Sequence, residues 1–117
     1  MKIYIAHSSG FDFKNELYVP IKNSDLAKEH EFILPHEGDL SHSKDIIKNS
    51  DLIIAEVSYP STGEGIELGW ADMLNIPIIC IYQENAKVSG SLKSVTEKFF
   101  AYKDSNDLII KIANLVN

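Results

Sequence analysis

The sequence predicts a three-layer, doubly wound α/β fold, and three observations carry that expectation. Short β-rich runs alternate with helical runs along the chain, the pattern of repeated strand–helix units. The central runs Leu52–Val57 and Pro77–Tyr82 are apolar almost throughout, as strands buried on both faces of a parallel sheet are. The length, 117 residues, is that of one domain able to bury its own core, so a single domain over residues 1–117 is expected.

The elements follow in order. Lys2–His7 reads as a first strand, closed by the turn Ser8-Ser9-Gly10. Phe11–His30 reads as helical, with Pro20 either kinking it or starting a second segment. Phe32–Leu34 is a short second strand. Ser43–Asn49 is a short helix with a serine at its cap position. Leu52–Val57 is the third strand, Gly63–Leu74 the next helix and Pro77–Tyr82 the fourth strand. Lys98–Tyr102 is a fifth strand, and Asp107–Val116 a closing amphipathic helix with Leu108, Ile109, Ile112, Leu115 and Val116 on or near one face. Right-handed crossovers between these strands give a parallel five-stranded sheet of the flavodoxin-like or Rossmann-like kind. Ligands of such sheets bind beyond the carboxyl ends of the strands. That rule singles out His7–Gly10, Pro35–Ser43 and Ser58–Glu67.

Composition narrows the function. Eleven Lys and Arg against seventeen Asp and Glu leave a formal charge of −6, which repels a phosphate backbone; no nucleic-acid polymer is expected as a partner. A small phosphorylated ligand remains open, because backbone N–H groups can hold one locally. The lone Cys80 sits in Ile78-Ile79-Cys80-Ile81 and reads as a small buried hydrophobe. The N-terminal apolar run is too short for a signal peptide and no stretch approaches the roughly 20 residues that span a bilayer. A cytoplasmic protein without membrane contact is expected.

The chemistry concentrates in the strand–loop–helix segment Asp51–Ala71. Pro60-Ser61-Thr62-Gly63 places two hydroxyls at the expected helix start, where free N–H groups favour an anion. Ser61 with Glu64 also fits a plain S-x-x-E capping box, and both readings stand. Glu67 has no Lys or Arg three or four residues away, so it is no ordinary surface ion pair. Gly63, Gly65 and Gly69 keep the backbone around it bare. A carboxylate so placed can attack an electrophilic sugar carbon, or it can simply be solvated.

This segment resembles the nucleoside 2-deoxyribosyltransferase family, and within it the 2′-deoxynucleoside 5′-monophosphate N-hydrolases. The matching pattern is an aspartate-led apolar strand, Asp51 through Ala55-Glu56-Val57, followed by Pro60-Ser61-Thr62-Gly63-Glu64-Gly65-Ile66-Glu67-Leu68-Gly69-Trp70-Ala71. The resemblance continues more weakly through Lys2-Ile3-Tyr4, Pro77 and Cys80. It implies that Glu67 is the nucleophile that attacks C1′ of deoxyribose and expels the base. It implies that Ser61 holds the 5′-phosphate, that Tyr4 belongs to the active site, and that Ser8 lies in a turn whose N–H groups meet phosphate. It further implies a homodimer in which Ser94, in Ser89-Gly90-Ser91-Leu92-Lys93-Ser94, reaches the phosphate of the neighbouring subunit. No metal or organic cofactor is implied.

Two positions depart from the family pattern. Ser43 stands where the family has a second carboxylate, which orients the sugar and passes protons; Asp39 and Asp45 are the nearby candidates to replace it. An arginine of the first turn is also missing, with Gly10 or its neighbours in its place, so a charge-assisted phosphate contact is lost.

The remaining motifs carry less. His36 and His42 flank the second loop with Glu37 and Asp39, yet their spacing fits no zinc pattern, and His36 reads rather as a sugar-pocket residue. Ser8 and Ser9 lack a G-x-S-x-G elbow. No G-x-G-x-x-G follows the first strand. The expected function is therefore N-glycosidic cleavage of deoxynucleotides. Base exchange by transfer and non-catalytic nucleotide binding are the alternatives.

Overall fold

In the computed structural model, which describes residues 1–38 and 40–117, strands β1 (Lys2–His7), β2 (Glu31–Ile33), β3 (Leu52–Glu56), β4 (Ile78–Gln83) and β5 (Phe99–Tyr102) form one sheet in the order β2-β1-β3-β4-β5. Every neighbouring pair is parallel. The helices are α1 (Val19–Lys22), α2 (Leu26–Glu29), α3 (Ser43–Lys48), α4 (Thr62–Met73) and α5 (Ser105–Val116).

The side-chain alternation of the strands builds two cores. Ile3, Ile5, Leu52, Ile54, Ile79 and Ile81 point to one face, where Leu17 and Ile21 and the α5 residues Leu108 and Ile112 cover them. Tyr4, Ala6, Ile53, Ala55, Ile78 and Cys80 point to the other, under Ile47 of α3 and Leu68 and Ala71 of α4. The expected three layers and five parallel strands are thus present. Cys80 is fully buried under α4, and burial pushes its thiol up to about 12. No helix among the described residues is long and apolar enough to cross a membrane.

The largest difference from the sequence reading lies in residues 11–30. Pro20 does stand in the first turn of a separate segment, α1, but a π-helical turn, Lys14–Tyr18, runs directly into it, and α2 follows after a break that the sequence reading did not contain. Pro20 explains the π turn, since it lacks an N–H and its ring crowds the carbonyl four residues back; the wider turn ahead of it relieves both. Elsewhere the strand and helix ends agree with expectation to within two residues, and β1 matches it at both ends. The second strand begins at Glu31 because Lys2 pairs with it, and α5 begins at Ser105 because the Asp104 side chain caps it through Asp107 N–H.

One buried polar cluster locks the carboxyl end of the sheet. Glu56 is fully buried, yet its carboxylate accepts from Ser58 N–H at 2.6 Å, from Ser58 Oγ at 2.8 Å and from the Tyr102 hydroxyl. Ser58 Oγ in turn accepts from Gln83 N–H at 2.8 Å. Three strands are tied together where the loops of the site begin.

Candidate active site

In this strand order the chain leaves β1 toward β2 on one side and returns to β3 on the other, so a crevice opens beyond the ends of β1 and β3. A cavity of about 330 Å³ lies there. All three loops singled out in the sequence reach it: His7 and Ser9 after β1, Pro35, His36 and Ser43 after β2, and Ser61 after β3. The first turns of α4 complete the wall with Gly63, Glu64, Ile66, Glu67 and Trp70.

Glu67 is half-buried in this wall. Its Oε2 accepts a short hydrogen bond, 2.5 Å, from the hydroxyl of Tyr4. Tyr4 is itself buried in the core beneath α4, so it is both a packed strand aromatic and the group that holds Glu67 from below. Burial raises the pKa of Glu67 above the ordinary carboxylate value, and the Tyr4 hydrogen bond opposes that rise by favouring the anion. The Tyr4 hydroxyl is pushed well above its usual value by burial and by the same carboxylate, so it keeps its proton. Among the described residues no lysine forms an ion pair with Glu67.

Ser61 caps α4, accepting the Glu64 N–H at 3.3 Å through its hydroxyl oxygen. Half of the expected capping box therefore forms. The other half does not, because the Glu64 side chain turns inward. Glu64 is 4% exposed and its Oε2 has no hydrogen-bond partner among the described residues. Burial, with Glu56 and Glu67 nearby, pushes its pKa up to about 9. Glu64 also faces a second cavity of about 310 Å³ on the far side of the α4 start, lined by Tyr59, Thr62, Gly65, Ser89 and Ser91 among others. Gly63 borders the first cavity and Gly65 the second, and a Cβ at either would meet no described atom within 4 Å beyond its chain neighbours and the backbone of its own helix. The bare backbone there faces open space.

The second loop is held by a relay of hydrogen bonds. His7 Nδ1 lies 2.7 Å from the Ser8 carbonyl, which can only accept, so Nδ1 carries the proton. Nε2 then accepts from the Tyr18 hydroxyl at 2.6 Å, and that oxygen accepts the His36 N–H at 3.1 Å. Burial lowers the pKa of His7, in keeping with this neutral tautomer. Phe13 packs against both imidazoles, 4.5 Å from His7 and 4.8 Å from His36 between ring centres. His36 is thereby fixed on the cavity wall.

The remaining sequence candidates are placed as follows. Ser8 is buried and its Oγ accepts the Gly10 N–H at 2.9 Å, forming the turn; its neighbour Ser9 faces the cavity instead. Asp45 is exposed on α3 and does not border the cavity, whereas Ser43 does. Asp39 lies outside the described residues. Ser94 is exposed in the short 3₁₀ segment Gly90–Ser94, its hydroxyl donating to the Ser91 carbonyl at 2.7 Å, and it does not border this chain's own cavity. Among the described residues no group of three or more His, Cys, Asp or Glu is placed to hold a metal ion.

Sequence reasoning assigned no site role to Glu64 or Trp70. The signal was in the spacing. Residues 64, 67 and 70 are three apart and so share a helix face. Trp70 gives the cavity a flat apolar wall, with Lys44 Nζ 5.5 Å from its ring centre.

No family model matches the chain. A 5-hydroxymethyl-dUMP N-hydrolase of Mus musculus is 37% identical over 62 residues, which are 53% of this chain and 32% of that protein. The chain spans about half or less of the length of the curated relatives it matches. Among solved structures, a CMP N-glycosidase of Clostridium botulinum superposes with a TM-score of 0.68 at 23% identity, covering 97% of this chain and 99% of the other. A 2-deoxyribosyltransferase of Bacillus psychrosaccharolyticus gives 0.63 at 20% identity over 92% and 90%. The fold is shared with these enzymes, and the resemblance read from Asp51–Ala71 meets relatives named as nucleotide N-hydrolases.

Proposed function

We propose that this chain is an N-glycosidase that cleaves the base–sugar bond of 2′-deoxynucleoside 5′-monophosphates, with Glu67 as the nucleophile. The observation that carries this reading is the Glu67 carboxylate, set in the wall of a nucleotide-sized cavity and held by Tyr4 rather than by a cation. Glu67 attacks C1′ as the bond to the base breaks, through an oxocarbenium-like transition state. Water then resolves the glycosyl-enzyme with overall retention. Tyr4 fixes the direction of the attacking oxygen, which is where positioning contributes most. Trp70 and His36 offer flat faces for the base or sugar. Ser61, Ser9 and the N-terminal end of α4 suit the phosphate.

Relatives named as hydrolases of a deoxynucleoside monophosphate support this reading. One observation favours non-catalytic binding instead, namely that Asp45 does not reach the cavity. The test is incubation with a panel of deoxynucleoside monophosphates, the matching nucleosides and CMP, with free base followed by chromatography. A second free base is added to half the tubes. Base release is expected from a deoxynucleoside monophosphate, without a new nucleoside in the supplemented tubes. A new nucleoside would make the protein a transferase, release from CMP alone would move the substrate to ribonucleotides, and ligand binding without release would favour the binding module.

Ser94 contributes to this site only through a second copy. At and beside the cavity rim α4 leaves Ile66 at 50% and Met73 at 83% exposure, an apolar surface suited to self-association. Light scattering is expected to give twice the chain mass. A monomer would remove Ser94 from the site.

A further inference from the structure

We infer that Glu64 is the acid of this site, delivering its carboxyl proton to the departing base while Glu67 takes C1′. The inference rests on the glycosidase reading and names a proton donor for it among the described residues. Ser43 occupies the wall position where the resemblance leads one to expect an aspartate, and a serine hydroxyl is too weak an acid to protonate a leaving base.

Three features of Glu64 point to this role. It stands one turn before Glu67 on the same face of α4, and both border the cavity at the ends of β1 and β3. It is more than nine-tenths buried, and Oε2 is the one buried side-chain polar atom without a hydrogen-bond partner among the described residues, so the carboxyl keeps an unused polar atom just behind the cavity wall. Among the described residues the charged groups that act on it are both acidic. Glu56 lies behind it at the end of β3, Glu67 beside it on α4, and the Cys80 thiol on β4 senses its charge. A carboxylate here would be an unpaired buried anion, so the stable form is the acid.

The two carboxyls are driven apart by their surroundings. Tyr4 donates to Glu67 and favours its anion, while Glu64 Oε2 has no donor among the described residues and the charges of Glu56 and Glu67 would both oppose its ionisation. One carboxylate and one carboxylic acid in a single cavity are what nucleophilic displacement of a base requires. The step balances. The Glu67 oxygen forms a bond to C1′, the C1′–N bond breaks with its electron pair going to the base, and the Glu64 proton neutralises that nitrogen. Water then attacks C1′, gives its proton to the Glu64 carboxylate, and releases both the sugar and Glu67.

The test compares wild type with Glu64→Gln, which keeps shape and removes the transferable proton. Two substrates are used, deoxyguanosine monophosphate and its N7-methylated form, whose base already carries the charge that protonation would supply. Glu64→Gln is expected to lower kcat/KM about 10²–10⁴-fold on the first and less than roughly tenfold on the second. Wild-type kcat/KM on an unmodified substrate is expected to fall as pH rises past about 9, where Glu64 loses its proton, and this alkaline limb is expected to be absent from the residual activity of Glu64→Gln; the methylated substrate is compared at mildly acidic pH, where its base keeps its charge. For an enzyme restricted to pyrimidines the pH profile decides, with the limb present in wild type and absent from the residual activity of Glu64→Gln. Equal losses on both substrates, no loss at all, or an unchanged alkaline limb would overturn the role of Glu64 alone. Wild type silent on every substrate would sink the glycosidase reading, and this inference with it.

Discussion

Glu67→Gln is expected to lower kcat for base release by roughly 10³–10⁶-fold while changing the dissociation constant for substrate by less than about threefold. The amide oxygen of glutamine accepts the Tyr4 hydroxyl as the carboxylate does, so the side chain stays in place and the cavity keeps its shape. Glutamine is as good a helix former as glutamate, so α4 is undisturbed. What is lost is the negative oxygen that attacks C1′, an interaction that strengthens only as the transition state forms, and such a loss appears in kcat rather than in binding. Each decade corresponds to about 1.4 kcal/mol of barrier, so the variant forfeits at least about 4 kcal/mol. Single-turnover base release and equilibrium binding of the same deoxynucleotide measure the two quantities separately. Release within tenfold of wild type would mean that Glu67 orients substrate for some other nucleophile. A parallel loss of binding would mean that its charge holds the ligand rather than attacks it.

The fold was legible because its signals are local and repeated. The two-residue alternation of β1 and the unbroken apolar runs of β3 and β4 place side chains on two covered faces, and a parallel sheet is the arrangement that uses both. The third loop and α4 were legible for the same reason, since Ser61 and Glu67 sit in one continuous strand–loop–helix. Residues 11–30 were less so. Pro20 announces a disturbance, but the sequence does not state whether the chain kinks, restarts or widens into a π turn. Which residue faces a cavity is a tertiary fact. Ser8 and Ser9 are adjacent serines in one turn, and only the folded chain shows that Ser8 spends its oxygen on the Gly10 N–H while Ser9 faces the crevice. Glu64 is the plainest instance. A serine followed three residues later by glutamate reads as a capping box, and the local pattern contains nothing to say that the carboxyl turns into the interior.

The same carboxyl should leave its mark on stability, independently of any substrate. Glu64 titrates near 4.5 when the chain is unfolded and near 9 when it is folded. Between those values the folded state holds a proton that the unfolded state has released, so stability falls as pH rises through that window. The contribution of Glu64 is intact below about pH 4.5 and lost progressively as pH climbs toward 9. At pH 7 the shortfall is about 3 kcal/mol, since each pH unit above the unfolded value costs about 1.4 kcal/mol. Glutamine at this position does not titrate and carries no such slope. Its amide brings an offset of its own, because one more buried polar group goes unpaired, but that offset is the same at every pH. Glu56 and Glu67 are raised by burial as well, and they remain in both proteins. The difference in unfolding free energy between Glu64→Gln and wild type is therefore expected to move in favour of the variant by about 3 kcal/mol from pH 4 to pH 7, or roughly 10 °C in Tm for a domain of this size. Denaturant melts at several pH values read that slope directly. Parallel stability curves would mean that Glu64 is ionised in the folded protein, and an ionised Glu64 has no proton to give a departing base.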